Sequence, residues 1–513
     1  MGAYVAWSWT LVLGAWASIA AFAFYAHVRL RRRAGKAPPL GKEEPGQIEA
    51  ESVEEFLTAR GSAGAWMLGC SLYAGMMGAW AISVPATYAA EAGALGTASY
   101  AGSEFLAVLL LPLLGVYVRR QHPSANSLPD VLLERFAAPD EGTMLRGQGM
   151  SLLVAAVSLI NMCIPMLAEF VTVSSLFRSY LGTVAWPAVA ILGLLTTAYT
   201  AAGGLAVSLL TDRVQMCASM LMLLLLVSIV VSTEYDTSLS PMTAELQGFT
   251  PIGYSSLLSM PLCLATFVLF NEGMWQRVWA SASERDLWLG AAIGATLSCA
   301  TVALVGLGSL LAIRNGRTND LDDPNLFFFA LFTEAGGSSW IGVVVLMLGC
   351  IMSMAALDSL QLGIQGVLST VFLRGHSLAS TRCAMLAVNI PLIALAAFDL
   401  VGSALGLFLL EAMVTCCCAF PVVLAVLPLQ GVWRAAYTEG AALSGIAGGA
   451  LCLSLYGCWQ AGWGLEGLRM AWYANEYAWD YFLVLAAFRF HRLRRRAGAG
   501  DGARTQRSIA RVP

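Results

Sequence analysis

The chain has 513 residues, of which 58% are hydrophobic and only 12% charged, with a net charge of -3 and a mean hydropathy of +0.70. Soluble globular chains carry about 25% charged residues, so this composition excludes a water-soluble enzyme and a basic nucleic-acid binder and points to an all-α polytopic membrane protein. The twelve cysteines lie mostly in apolar runs, where a thiol acts as a small apolar residue, and His27, His122, His376 and His491 stand at segment ends near arginines. Neither set has the spacing of a disulfide framework, a metal site or a catalytic triad.

The first apolar run, residues 3–28, has no basic segment ahead of it and is followed by Arg29 to Arg33. It reads as a retained helix rather than a cleaved signal peptide. With the acidic linker Lys42 to Glu55 it makes an N-terminal unit over residues 1–62. The stretch Ala63 to Gly93 carries no charge before Glu91 and is long enough to cross a bilayer, which takes about 20 residues. Gly75, Gly78 and Pro85 interrupt it. Glycine weakens a helix and proline removes an amide donor, and inside a membrane such a break is tolerated only where the freed groups face protein or a wet cavity. The spacing predicts a broken helix that forms a site for a cation or polar solute; the alternative is that these glycines only let neighbouring helices pack closely.

Further apolar runs fall near residues 100–118, 149–177, 184–201, 212–232, 256–280, 287–312, 340–371, 382–398, 403–428, 440–461 and 473–490, about 13 transmembrane helices in all. With the N-terminus outside and the C-terminus cytoplasmic, 25 of the 29 Lys and Arg residues fall on the inner side, the exceptions being Arg178, Arg314, Arg317 and Arg469. That asymmetry supports the orientation and the count of spans together. In the inner loop 119–148, Leu128, Val131, Leu132 and Phe136 have helical spacing and predict a short helix on the membrane face. The outer loop 314–338, with Asp320, Asp322 and Asp323, reads as solvated. Residues 491–513 form a basic cytoplasmic tail, and no GxxxxGK sequence supports an ATP-driven pump.

Residues Tyr199-Thr200-Ala-Ala-Gly203-Gly204-Leu205 through Thr211-Asp212-Arg213-Val214-Gln215 resemble the YTxxGGLxxxxxTDxxQ signature of the sodium/solute symporter family. Glu54-Glu55-Phe56-Leu57-Thr58-Ala59-Arg60 is similar to the family's segment before its first core helix, although Ala-Gly-Arg is shortened to Ala-Arg. Ser127 to Phe136 resembles its inner-loop helix, Phe270 to Arg277 its stretch ending in Gln-Arg, and Ile351-Met352-Ser353 its Met-Ser-Thr helix. Trp80 and Arg119 to Asn126 resemble the urea-transporting branch.

The resemblance implies a 5+5 inverted-repeat (LeuT-like) core, with one repeat over residues 63–232 and the other over 256–428, two peripheral helices over 429–490, and paired broken helices at 63–91 and 256–280. The second carries Pro261 and Asn271-Glu272-Gly273. It further implies a coupling cation between the carbonyls of Ala74 and Met77 and the facing residues Cys350, Ser353 and Met354. Met354 departs from the family's hydroxyl, and a thioether is a poor ligand for a hard ion. A second alignment, through Asp358-Ser359, places Ala355 and Ala356 at the hydroxyl positions. Sodium and proton coupling therefore both stand as expectations, with Asp358 or Asp212 as proton carriers. The alternative readings are a helix contact to Gln361 or Gln365 for Asp358 and an interfacial pair with Arg213 for Asp212. Glu169 and Glu411 are further acids within spans, each a relay or a packing contact.

For the solute, the candidates are Trp80, Glu104, Phe267, Asn271 and Glu272, with Trp80 as an aromatic wall and Glu104 as an acceptor for amides or ammonium groups. The alternatives are an interface anchor for Trp80 and a solvated helix end for Glu104. The function so implied is cation-coupled symport of a small polar organic solute such as urea, in a plasma membrane, with no cofactor beyond Na+ or H+, with solute and membrane lipid as partners, no nucleic acid, and the oligomeric state left open. A sensor without turnover, or an uncoupled uniporter or channel, would share the fold.

Overall fold

The computed structural model describes residues 2–34, 53–137, 147–232, 242–319, 321, 323–332, 340–400, 404–427 and 437–472. Residues 42–52 of the acidic linker, Asp320, Asp322, the last expected span at 473–490 and the basic tail lie outside the described residues.

Among the described residues ten helices are long and apolar enough to cross a membrane, where the sequence predicts thirteen. One expected span falls outside the described residues, and two pairs of expected spans run together into single long helices. After a short helix α1 (Ala65–Met76), helix α2 (Trp80–Gln121) continues for 42 residues, and a second merged helix, α4 (Trp186–Ser232), follows α3 (Gln148–Ser175) and has 47. A straight helix of 42 residues would be about 63 Å long, twice the apolar thickness of a bilayer. Each is in fact two helices joined at a kink on a glycine: Gly93 has φ 64° and ψ -160°, and Gly204, inside the YTxxGGL motif, has φ 61° and ψ -166°. Only glycine adopts this backbone at low cost. A Cβ at Gly204 would also lie 2.6 Å from the Phe56 carbonyl. Gly204→Ala is expected to lower stability by about 2–3 kcal/mol, read as a shift in the detergent-solubilised unfolding midpoint.

The second half repeats the plan. Helix α5 (Pro251–Phe270) stops at Asn271 and helix α6 (Glu272–Ala280) resumes at once. The foot of α1 is stitched to the end of α6, with Ala63 N–H donating to Ala280 O and Ala282 N–H to Ala63 O, both at 2.9 Å. Helix α7 (Glu284–Arg314) follows, and Asp286 in its first turn accepts from the Ala65 amide at 3.1 Å, capping α1.

At the centre stands α8 (Trp340–Val367), in which every residue from Leu348 to Val367 is buried, including Ser353, Asp358, Ser359, Gln361 and Gln365. A helix buried all round is a column around which the others pack. The first helix (Gly2–Ala34) leans on it through Trp16, which is fully buried and donates its indole N–H to Cys350 O at 3.0 Å. Helices Leu378–Ala397, Ala404–Val426 and Glu439–Ala461 complete the bundle.

Candidate functional site

The first interruption is narrower than its glycines and proline suggest. Gly75 lies within α1 and Pro85 within α2; the break is confined to Met77, Gly78 and Ala79, with Met77 extended at φ -99° and ψ 97°. Beyond it the chain re-enters a helix through short bonds, Ala81 N–H to Gly78 O at 3.1 Å and Ile82 N–H to Ala79 O at 3.0 Å. The gap is filled by a carboxylate from another helix. Glu169 on α3 accepts from the Ala79 amide at 2.9 Å and from the Ser353 hydroxyl at 2.6 Å, both on Oε2. It sits at the N-terminus of α2, where unpaired amides and the helix dipole favour negative charge. Gly78 is obligatory because a Cβ there would overlap the carboxylate.

The second interruption is a single residue. Asn271 is extended, at φ -85° and ψ 98°, and its side-chain oxygen accepts from the Met274 amide at 3.3 Å, capping α6. Side chains tie up the carbonyls of the preceding turn: Asn161 Nδ2 donates to Phe267 O at 3.0 Å and Trp275 Nε1 to Leu269 O at 2.8 Å. Ser359 on α8 lies between both broken helices, since a Cβ on Gly75 would meet its hydroxyl and a Cβ on Gly273 its carbonyl.

A buried ion-pair network binds these elements together. Arg277 on α6 and Asp212 on α4 are wholly buried and paired at 3.2 Å. The guanidinium also donates to Ser71 Oγ on α1 at 2.8 Å, to Ser359 Oγ at 2.6 Å and to Gly273 O at 2.5 Å, while Ser71 donates to Asp212 at 2.5 Å. Asp212 thus pairs with Arg277 rather than with its chain neighbour Arg213. The signature motif has a physical reading: Tyr199 O–H reaches Met354 O at 3.4 Å, Thr200 donates to Asp358 Oδ1 at 2.5 Å, Gly204 makes the kink, and Asp212 holds Arg277. Asp358 faces Thr200, whereas Gln361 Nε2 bonds Thr196, Thr197 and Asn389.

Of the expected cation residues, Ala74, Met77, Cys350, Ser353 and Met354 are all buried. Ser353 meets Glu169, and the carbonyl of Cys350 is directed to Trp16. Asp212 and Asp358 belong to the network on α4 and α8, apart from the Glu169 contact. The expected solute residues also separate. Glu272 accepts from the Leu128 amide at 2.9 Å, anchoring the short helix Leu128–Phe136, whose apolar face (Leu128, Val131, Leu132, Phe136) is buried. The same helix is held by Arg374, which donates to Asp130 at 2.6 Å. Burial raises the Asp130 carboxyl above its ordinary range, against the opposing pull of Arg374. Glu272→Ala strands the Leu128 amide and is expected to cost about 1–3 kcal/mol; faster hydrogen exchange across Leu128–Phe136 would register it, and unchanged exchange would reject the anchoring role.

Glu104 is not a solvated helix end. It lies eleven residues past the Gly93 kink, is fully buried, and neither carboxylate oxygen has a hydrogen-bond partner among the described residues. One turn before it on the same face is Tyr100, which stacks on Trp80 with centroids 6.2 Å apart and meets Tyr88 edge-on at 5.7 Å. Trp80 is half-buried and packs within the bundle rather than standing as an exposed anchor. Phe267 is half-buried, on the last turn before Asn271.

Two interrupted helices, one in each half, packed against a buried central helix with buried carboxylates around them, define an inverted-repeat membrane fold. Residues 56–309 match the profile of the sodium:solute symporter family, which this chain resembles. Over 349 residues, 67% of this chain, it is 26% identical to a spermidine transporter of Candida albicans, and it spans 64% of that relative's length. Among solved structures it is similar to a Na+-coupled sialic acid symporter in a substrate-bound outward-open state, with a TM-score of 0.67 at 13% identity over 94% of this chain and 95% of that one. It is also similar to a nucleobase-cation-symport-1 family transporter closed around bromovinylhydantoin, with a TM-score of 0.53 at 14% identity over 86% and 95%. A mutant manganese transporter of Eremococcus coleocola gives a TM-score of 0.51 at 14% identity over 90% and 99%. These likenesses establish the LeuT-like fold.

Proposed function

We propose that this protein is a sodium-coupled symporter of a small organic cation of the polyamine class, working by alternating access between two repeats at residues 63–232 and 256–428. The observation that carries the solute class is Glu104, a carboxylate at 0% exposure with both oxygens unpartnered among the described residues, one helical turn from Tyr100, whose ring meets Trp80 and Tyr88. An ionisable group inside a membrane is costly and marks a functional site, and an ammonium group between a carboxylate and aromatic faces satisfies the charge and the rings together. Urea, being neutral, would leave that charge uncompensated. The spermidine-transporting relative supports the cationic reading, and neither the urea-like solute nor proton coupling finds support in the comparisons. Sodium coupling follows the family resemblance, and the excess of Lys and Arg in alternate loops of the sequence supports an N-terminus outside and a cytoplasmic C-terminus.

The test is uptake of radiolabelled spermidine and radiolabelled urea into proteoliposomes with sodium and pH gradients imposed separately. Spermidine is expected to accumulate against its gradient when sodium is high on one side, and urea is not. Spermidine uptake indifferent to both gradients would make the protein a uniporter or channel, and binding without uptake would make it a sensor.

A further inference from the structure

We propose that Glu169 is the anionic ligand of the coupling sodium ion, at the break between Met76 and Trp80; this rests on the symport reading above. The residue is wholly buried, and among the described residues no ion pair reaches it. Its two oxygens are used unequally. Oε2 accepts from both the Ala79 amide and the Ser353 hydroxyl, whereas Oε1 has no hydrogen-bond partner and lies against Gly78. The neighbouring backbone is left rich in acceptors. The Ala79 amide donates to Glu169 in place of the Gly75 carbonyl, and the Ala81 amide donates to Gly78 O in place of the Met77 carbonyl. The break therefore gathers a carboxylate oxygen, a hydroxyl and main-chain carbonyls, a donor set of oxygens only, which suits a hard cation.

Charge points the same way. An uncompensated carboxylate at this depth is costly, and one sodium ion on Oε1 neutralises it while the Ser353 hydroxyl rotates to offer a lone pair. The helix supplies a single hydroxyl at this level, since the next residue is Met354, and the carboxylate on α3 makes up the missing oxygen from across the gap. Sodium binding thus ties α3 and α8 to the interrupted helix, which links the ion to the shape of the chamber.

The purified protein in detergent would be titrated with sodium chloride against choline chloride at constant ionic strength, following its unfolding temperature. A ligand that binds only the folded state raises that temperature in proportion to its saturation. The wild type is expected to respond to sodium, and Glu169→Gln to need at least about tenfold more sodium or to lose the response. In choline alone Glu169→Gln should unfold at or above the wild-type temperature, because its amide oxygen retains the Ala79 bond and the buried charge is gone; a merely structural carboxylate would show the opposite. Gly78→Ala, which keeps the carboxylate but fills the gap beside it, should also abolish the sodium response. Unchanged sodium titration of both variants overturns the proposal, as does a wild type that responds to pH and not to sodium. If sodium-driven uptake persists unaltered in Glu169→Gln, the site is wrong and the symport reading stands; if the sodium response is lost as expected but no vesicle uptake occurs under any gradient, the site stands and the symport reading falls.

Discussion

Arg277→Met is expected to destabilise the folded protein by about 3–5 kcal/mol, because it leaves Asp212 as a buried charge with no counter-ion. Both side chains are at 0% exposure, so solvent screening does little to soften the loss. Asp212→Asn should cost a similar amount by stranding the guanidinium. The pair together should cost less than the sum of the singles by at least about 2 kcal/mol, since neither charge is then orphaned. A double-mutant cycle on unfolding midpoints in detergent measures this; additive losses would mean that the two groups do not depend on each other. The interaction has a conformational side as well. Arg277 bonds Ser71 on α1 and Ser359 on α8, so the foot of one broken helix is clasped to the other. Separating those feet, which opening the chamber on that side requires, must break this clasp and the Ala63 to Ala280 stitch beside it.

Glu104→Gln is expected to raise the KM for spermidine uptake roughly 30- to 150-fold, the equivalent of about 2–3 kcal/mol, since a desolvated charge pair would lose one partner. Glu104→Asp should retain part of the affinity by keeping the charge one methylene further back. Sodium stabilisation of the solute-free protein should be unaffected, because Glu104 shares no hydrogen bond with Glu169 or with the partners of Glu169. An unchanged KM in Glu104→Gln would remove this residue from the solute site and with it the main support for a cationic substrate.

The apolar runs, the two interruptions and the turn motif were legible in the sequence because each is a local pattern: length of apolar run, glycine and proline within it, and the spacing of Tyr199 to Gln215. The merging of spans was not, since Gly93 and Gly204 each kink the chain at a single residue and leave no polar loop to mark the end of a helix. Nor was the extent of the first break, where Gly75 is helical because close approach to Met274 and Ser359 requires its missing Cβ. The role of Glu169 was hidden for a different reason. Its partners, Ala79 and Ser353, are 90 and 184 residues away in the chain, and the amide it caps exists as a free donor only because the helix breaks there. Asp212 was recognised as a candidate by its motif, but its true counter-ion, Arg277, lies 65 residues on, beyond any pairing that chain neighbours suggest. Glu272 has the composition of a chamber residue and the geometry of an anchor, and only its bond to Leu128 separates the two.

The account rests on a chamber between two interrupted helices that opens to one side of the membrane at a time. The direct measurement is the reactivity of a single thiol, introduced as Phe267→Cys in a variant without other reactive cysteines, toward a membrane-impermeant reagent added to either face of proteoliposomes with and without sodium. Modification from both faces in the population, with sodium shifting reactivity toward the face from which ion and solute are taken up, is the predicted result. A thiol that is reached from neither face, or from one face only whatever the sodium concentration, would contradict it.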